Sequence, residues 1–356
     1  MRTCVLPKLN YFSRIFPPDV LAPAAKFFDS LVCNTFCAKH LLPTLDSEAR
    51  EQLSWPTILG GFGLRSIQQV SPYSFFSASS QYFHRISPLV PSPDSLSSLS
   101  TVPFVQSIRK CHRFLLDLKA KLPSPFPPHP DQFFTDFHLN PSSKGFQASL
   151  LKTFYKQRVK LSINRSLASS AQRARLSSLE HNSSSFWLST PPISPSYILP
   201  NPIWNSCIRM RLGLGPFDMI RHCSCGTSLN SFPLPFLTCT LLRSSTTARH
   251  DLIFQSLAKA ARLCGIAVQS EPSLAIGLEG SRSDGKFFFP SLEAHVDVSV
   301  VHPAAPAYLR LKAGAAIKKR ESEKNSHYLE AAKRQGAEFF ALVFDSFGGF
   351  GGATLH

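Results

Sequence analysis

Residues 282–308 read RSDGKFFFPSLEAHVDVSVVHPAAPAY. Asp284 closes a polar turn, an aromatic run follows, and Pro290 and Ser291 break it. AHVDVSVV then alternates as a half-buried strand does. Val296, Val298 and Val300 fall on one face, Asp297 and Ser299 on the other. A carboxylate at the start of a hairpin and a second inside its return strand can converge on one point. Two such carboxylates make a hard, oxygen-rich site suited to Mg²⁺ or Mn²⁺. A metal held there activates water and steadies a leaving oxygen in phosphodiester hydrolysis.

The flanking segments supply the rest of a small α/β core. Downstream, residues 313–335 form a highly charged helix rich in Lys and Arg, and 339–344 a last strand before a glycine-rich tail. Upstream, residues 249–266 carry Leu252, Ile253, Leu257, Ala260 and Leu263 at three- and four-residue steps, a helix closed by Gly265. Asp251 near its start suits the positive helix end. A short strand at IAVQS and a second one before Asp284 complete the order helix, strands, hairpin, helix, strand.

This layout resembles the PD-(D/E)XK nuclease core. More narrowly, it resembles the restriction-like endonuclease domain at the C-terminal end of site-specific non-LTR retrotransposon polyproteins. In that family a "PD" precedes a "DVxV" strand. Here the two elements read Ser283-Asp284 and Asp297 to Val300, and the following HPAAPAY (302–308) is also similar. Ser283 stands in place of the proline, and Ser299 in the usual lysine position. The resemblance therefore moves the catalytic lysine to the next helix, to Lys324, with Tyr328 as the aromatic residue one turn later. It implies that Asp284 and Asp297 hold Mg²⁺ or Mn²⁺, and that Lys324 steadies the attacking hydroxide or the scissile phosphate. The reaction implied is nicking of double-stranded DNA.

The same family covers the chain further upstream. Trp55-Pro56 through Ser66, with GGFGLRS inside it, is similar to the thumb region of retroelement reverse transcriptases. No Asp-Asp pair occurs anywhere, so a truncated fragment without polymerase activity is expected. Residues 201–215 resemble the amphipathic helix ending "RLGL" that precedes the nuclease module. Pro202 starts it, Gly213 and Gly215 end it, and Trp204, Ile208 and Leu212 form its apolar face, with Arg209 and Arg211 away from it. Cys223, Cys225 and Cys239 resemble a zinc knuckle, and thiolates favour tetrahedral Zn²⁺. Pro235 occupies the position of the family's histidine, which leaves His222 or His250 as the source of a fourth ligand. Arg209, Arg211, Arg249, His250, Lys318 and Lys319 are the candidate nucleic-acid contacts.

Composition agrees with that direction. The chain of 356 residues carries a net charge of +16, a surface that attracts polyanions. It has 29 Pro and only 17 Gly, which indicates long irregular stretches. Nine scattered cysteines, without an apolar leader or a membrane-spanning run, indicate reduced thiols in cytosol or nucleus. The Pro/Ser-rich segment 86–104 reads as a linker, and PSPFPPHPDQFF at 123–134 stops a helix over 105–122. A strongly basic helix is expected at 148–167, where Lys152, Lys156, Arg158, Lys160 and Arg165 either follow a phosphate backbone or form a solvated face.

The expected class is α+β, with a helical N-terminal part and a C-terminal α/β core like that of restriction endonucleases. The expected organisation is a thumb-like region at 1–85, a basic linker with helices at 86–200, a helix with a degenerate zinc knuckle at 201–245, and the nuclease-like domain at 246–350. The partners implied are double-stranded DNA and the element's RNA, and no membrane. The rival expectation is a binding remnant of such an element that has lost catalysis.

Overall fold

The computed structural model describes residues 6–86, 103–117, 145–165, 169–192, 195, 198–215, 222–229, 235–274, 282–311 and 315–354. The Pro/Ser-rich stretches at 86–104 and 123–134 lie almost wholly outside these residues, as does the strand expected directly before Asp284. The protein is α+β, and its chain divides into two compact units, Met1–Ser162 and Ile163–His356.

In the first unit every described helix or strand is a helix. These are α1 (Leu6–Ile15), α2 (Pro18–Lys39), α3 (Ser47–Ser54), α4 (Ile67–Ile86), α5 (Pro103–Asp117) and α6 (Phe146–Arg165). α2 buries Leu21, Ala25, Phe28 and Val32, a stripe at three- and four-residue steps. Phe27 and Leu31, next to that stripe in sequence, face outward. Asp29 of α2 caps α4 from a distance. Its carboxylate accepts from the Ile67 amide (2.8 Å), the Gln68 amide (3.2 Å) and the Ser66 hydroxyl (2.6 Å). Those are donors that a helix N-terminus otherwise leaves unsatisfied. α4 then carries Ile67, Val70, Tyr73, Phe75 and Phe76 into the core.

The second unit begins with α7 (Ser170–Leu179), α8 (Asn201–Arg211) and α9 (Arg243–Leu263). The sheet follows: β1 (Ala267–Ser270), β2 (Gly285–Phe289) and β3 (Leu292–Val301), then α10 (Ala315–Arg334) and β4 (Glu338–Asp345). Strand order is β1-β2-β3-β4, with β1–β2 and β2–β3 antiparallel and β3–β4 parallel. α10 is the crossover that a parallel pair requires. Asp297 lies opposite Ala341 in the β3–β4 register.

β3 is buried on both faces rather than half-buried. Val296 and Val298 pack with Phe254 and Ala258 of α9. On the other face Val301 of β3, with Phe339, Ala341 and Val343 of the neighbouring β4, packs with Ala316, Ile317 and Ala332 of α10. α9 starts six residues before its expected first turn and presents Ile253, Phe254, Leu257, Ala258 and Ala261 to the sheet. Leu252 and Leu263, expected in its core stripe, are exposed. Asp251 consequently lies well inside the helix and is no N-terminal charge.

α8 ends with Gly213 at φ +77°, the left-handed conformation that closes helices. Its two arginines turn inward, which corrects the expectation that Arg209 and Arg211 face nucleic acid. Arg211 is 2% exposed and donates to the Ser184 carbonyl at 2.9 Å. Arg209 is 7% exposed and donates to the Gly215 carbonyl at 2.6 Å. Burial lowers the Arg211 guanidinium to about 10. Both arginines tie down loop carbonyls, and the Ser184 carbonyl also accepts from Trp187 Nε1 at 3.1 Å.

Candidate functional site

Asp284 precedes β2 and is seated by two donors. The Val298 amide donates to its Oδ2 at 2.6 Å, and His250 Nε2 lies 2.9 Å from the same oxygen. His250 comes from α9, one turn before Phe254. The Phe254 ring lies where a Cβ on Gly285 would stand, 2.6 Å from it. Only glycine next to Asp284 lets α9 approach this closely. His250 also bonds Asp251 Oδ1 at 3.0 Å. Its pKa is pushed up to about 9, first by the hydrogen bond to Asp284 and against the opposing effect of burial. His250, expected to touch DNA or to ligate zinc, is thus an imidazolium shared by two carboxylates.

Asp297 enters the site from β3 at 3% exposure. Burial raises its pKa, the Lys324 ammonium opposes that, and the nearby charge of Asp284 raises it further. Lys324 Nζ is 2.8 Å from Asp297 Oδ2. That oxygen is buried, and the Lys324 ammonium donates to it. Tyr328 lies one turn on, its ring 5.2 Å from Lys324 Nζ and 5.3 Å from the Phe339 ring. It props the ammonium and is not among the residues that line the cavity.

Asp284 and Asp297 open into one cavity of about 260 Å³ with Lys324, His250, Arg249 and Arg320. Charged groups from α9, β3 and α10 and from the turn before β2 therefore meet there. Arg249 is partly buried, its pKa lowered by that burial, and its Nε makes no hydrogen bond. Arg320 Nε lies 3.4 Å from Ser299 Oγ. Arg320 was not singled out from the sequence. Its spacing of one helical turn from Lys324 is the signal that places it on the same face. Lys318 and Lys319 are exposed and outside the cavity, with Lys319 Nζ 5.8 Å from the Tyr308 ring centre.

Carboxylate oxygens are donors of the kind a hard divalent cation takes. Two carboxylates face one polar cavity, and a buried carboxylate oxygen there has a single ionic partner. Both carboxylates already meet a cation in His250 and Lys324, so a metal would bind by displacing or supplementing those contacts.

A second cluster lies in the loop before α9. The Sγ atoms of Cys223, Cys225 and Cys239 lie within 4.8 Å of one another, and the group could hold a metal ion. The loop is closed by Cys223 N–H to Thr227 O and Gly226 N–H to Cys223 O, both 2.8 Å. Gly226 has φ +84°, which suits glycine in so tight a turn. The Cys225 thiol is lowered to about 7, first by its hydrogen bond with the Thr227 hydroxyl. No fourth His, Cys, Asp or Glu joins this group among the described residues.

The basic helix is neither fully solvated nor a continuous rail. α6 buries Phe146, Leu150, Leu151, Phe154, Tyr155 and Val159. Lys152 and Lys156 line a cavity of about 660 Å³ together with Arg14 and Arg65. Arg158 instead pairs with Glu51 at 2.8 Å.

No protein-family model matches the chain, and no curated protein matches it.

Proposed function

We propose that the second unit is a metal-dependent DNA endonuclease domain of the kind carried by non-LTR retrotransposon polyproteins, and that it nicks double-stranded DNA. The observation that carries this reading is the meeting of Asp284, Asp297 and Lys324 at one cavity, with Lys324 Nζ 2.8 Å from Asp297. Asp284 and Asp297 would hold Mg²⁺ or Mn²⁺, and the bound cation would supply Lewis acidity at the scissile phosphate. Asp284 is held in place by the Val298 amide. Lys324 would steady the attacking hydroxide or the scissile phosphate by hydrogen bonding from its ammonium. Arg249 and Arg320 lie at the cavity walls, where guanidinium groups suit bidentate phosphate contacts.

Relaxation of supercoiled plasmid tests the reading. Nicking in Mg²⁺ or Mn²⁺ that falls by about 100-fold or more in Asp297→Asn is expected. Wild-type protein that is folded and leaves the plasmid intact would remove it.

One observation favours a second reading, a DNA-binding remnant without catalysis. Both carboxylates carry a protein cation, His250 on one and Lys324 on the other. The remnant binds DNA with salt-sensitive affinity and cleaves none.

We also propose that the cysteine cluster takes Zn²⁺, with water or a side chain outside the described residues as the fourth ligand. Three thiolates at this separation suit tetrahedral zinc. Metal analysis of the purified protein is expected to find zinc that Cys239→Ser loses.

A further inference from the structure

Behind Asp284 runs a chain of polar side chains, buried at Ser283 and His295 and half-buried at Gln335, that the proposed chemistry does not use. His295, two residues before Asp297 on β3, is fully buried. Ser283, the residue before Asp284, is 1% exposed. Ser283 Oγ lies 2.9 Å from His295 Nδ1, and His295 Nε2 lies 3.1 Å from Gln335 Oε1. Gln335, just past α10, donates its Nε2 to the Ser273 carbonyl at 3.3 Å.

These partners fix the protons. Donation to Ser273 turns the Gln335 amide so that its oxygen faces His295. His295 must then donate from Nε2, which leaves Nδ1 as an acceptor. The Ser283 hydroxyl consequently donates into Nδ1, in preference to the Gly285 carbonyl at 3.3 Å. Every link in the chain is satisfied, and it joins the turn before β2 to β3, the end of α10 and the loop after β1. The backbone closes the same turn. Glu271 N–H donates to Asp284 O at 3.0 Å, and Ser283 N–H to Pro272 O at 3.3 Å.

Polar residues on β3 also mark a register. Ser299 meets Arg320, Asp297 meets Lys324 and His295 meets Gln335, so α10 runs antiparallel to β3 with three polar contacts along this face.

We propose that Ser283, His295 and Gln335 are positioning residues. Their hydrogen-bond chain holds the turn at 283–285 and thereby fixes the Asp284 carboxylate against the Val298 amide, inside the cavity it shares with Asp297. The functional meaning of this chain rests on the reading that Asp284 holds a divalent cation. The chain itself is independent of that reading. A serine can anchor this turn only because a histidine acceptor lies beneath it, so Ser283 and His295 work as a pair.

The Val298 amide reports the seat of Asp284 directly, because it donates to Oδ2. In full-length protein labelled with ¹⁵N-valine, its signal is assigned by comparison with Val298→Ile. Hydrogen exchange at Val298 is then measured in wild type, Ser283→Ala, Ser283→Thr, His295→Phe and Gln335→Ala, with Val343 in β4 as internal control. Exchange at Val298 about tenfold or more faster in Ser283→Ala and Gln335→Ala is expected, with Val343 unchanged and Ser283→Thr close to wild type. Ser283→Ala and Gln335→Ala carry the test even where His295→Phe does not fold. Unchanged Val298 exchange in both of those variants would overturn the proposal and leave His295 as a core residue. Nicking is assayed on the same samples. Wild type that does not nick, but in which Ser283→Ala still frees the Val298 amide, removes the endonuclease reading and supports the positioning chain.

Discussion

Lys324 shows what a single residue owes to register. Spacing along the helix could not choose it over Lys318. The antiparallel run of α10 over β3 does choose it, setting Lys324 against Asp297 while Lys318 is exposed. The two aspartates were legible because alternation along β3 and the turn before β2 fix where they point. The partners of Asp284 were not, since His250 lies 34 residues upstream and its contact depends on how α9 rotates. Removing Lys324 as Lys324→Ala leaves a buried carboxylate without its cation. A loss of roughly 3 kcal/mol in urea unfolding is expected, against no loss if the pair is screened by water. His250 yields a second prediction. Its folded pKa is raised from 6.5 to about 9, so its stabilising contact is complete below 6.5 and is lost as pH rises through about 9. NMR titration should place the His250 midpoint near the higher value, and His250→Asn should flatten stability across that window. A midpoint near 6.5 would mean that the contact with Asp284 is absent in solution.

At the level of elements, the sequence patterns located α5, α6, α8, α9, α10 and β4 to within a few residues, apart from the early start of α9. They misjudged faces where helices pack on a strand buried from both sides. Leu252 and Leu263 fit a helical stripe equally well, but the sheet takes Phe254 and Ala258. The inward Arg209 and Arg211 were also illegible, because periodicity assigns charged residues to solvent and cannot see the loop carbonyls that recruit them. Gly285 is the point where two elements depend on one missing side chain. Gly285→Ala would place a methyl 2.6 Å from the Phe254 ring and push α9 off the sheet. A cost of about 1–3 kcal/mol in thermal or urea unfolding is expected, together with a fall in the His250 pKa. Wild-type values of both would show that α9 has room to spare.

For the whole molecule, the net charge of +16 directs attention to polyanions but does not say where they bind. The described cations divide among several roles. Arg209, Arg211 and Arg158 serve the fold, Arg249, Arg320 and Lys324 line the carboxylate cavity, and Lys318 and Lys319 remain exposed. DNA affinity is therefore expected to fall with salt at about −0.9 in log K per log salt for each phosphate neutralised. Lys318→Ala and Lys319→Ala should each flatten that slope by about one unit, whereas Arg211→Ala should lower stability and leave the slope alone. Equal slopes for all three variants would place the DNA elsewhere. No helix among the described residues is long and apolar enough to cross a membrane.

The claim on which the rest depends is that Asp284 and Asp297 form one divalent-cation site. Electron paramagnetic resonance of Mn²⁺ bound to the purified chain, in wild type, Asp284→Asn and Asp297→Asn, measures it most directly. The account predicts a bound Mn²⁺ in wild type that either substitution abolishes while the protein stays folded. Mn²⁺ that binds equally well in all three proteins, or in none of them, would contradict it.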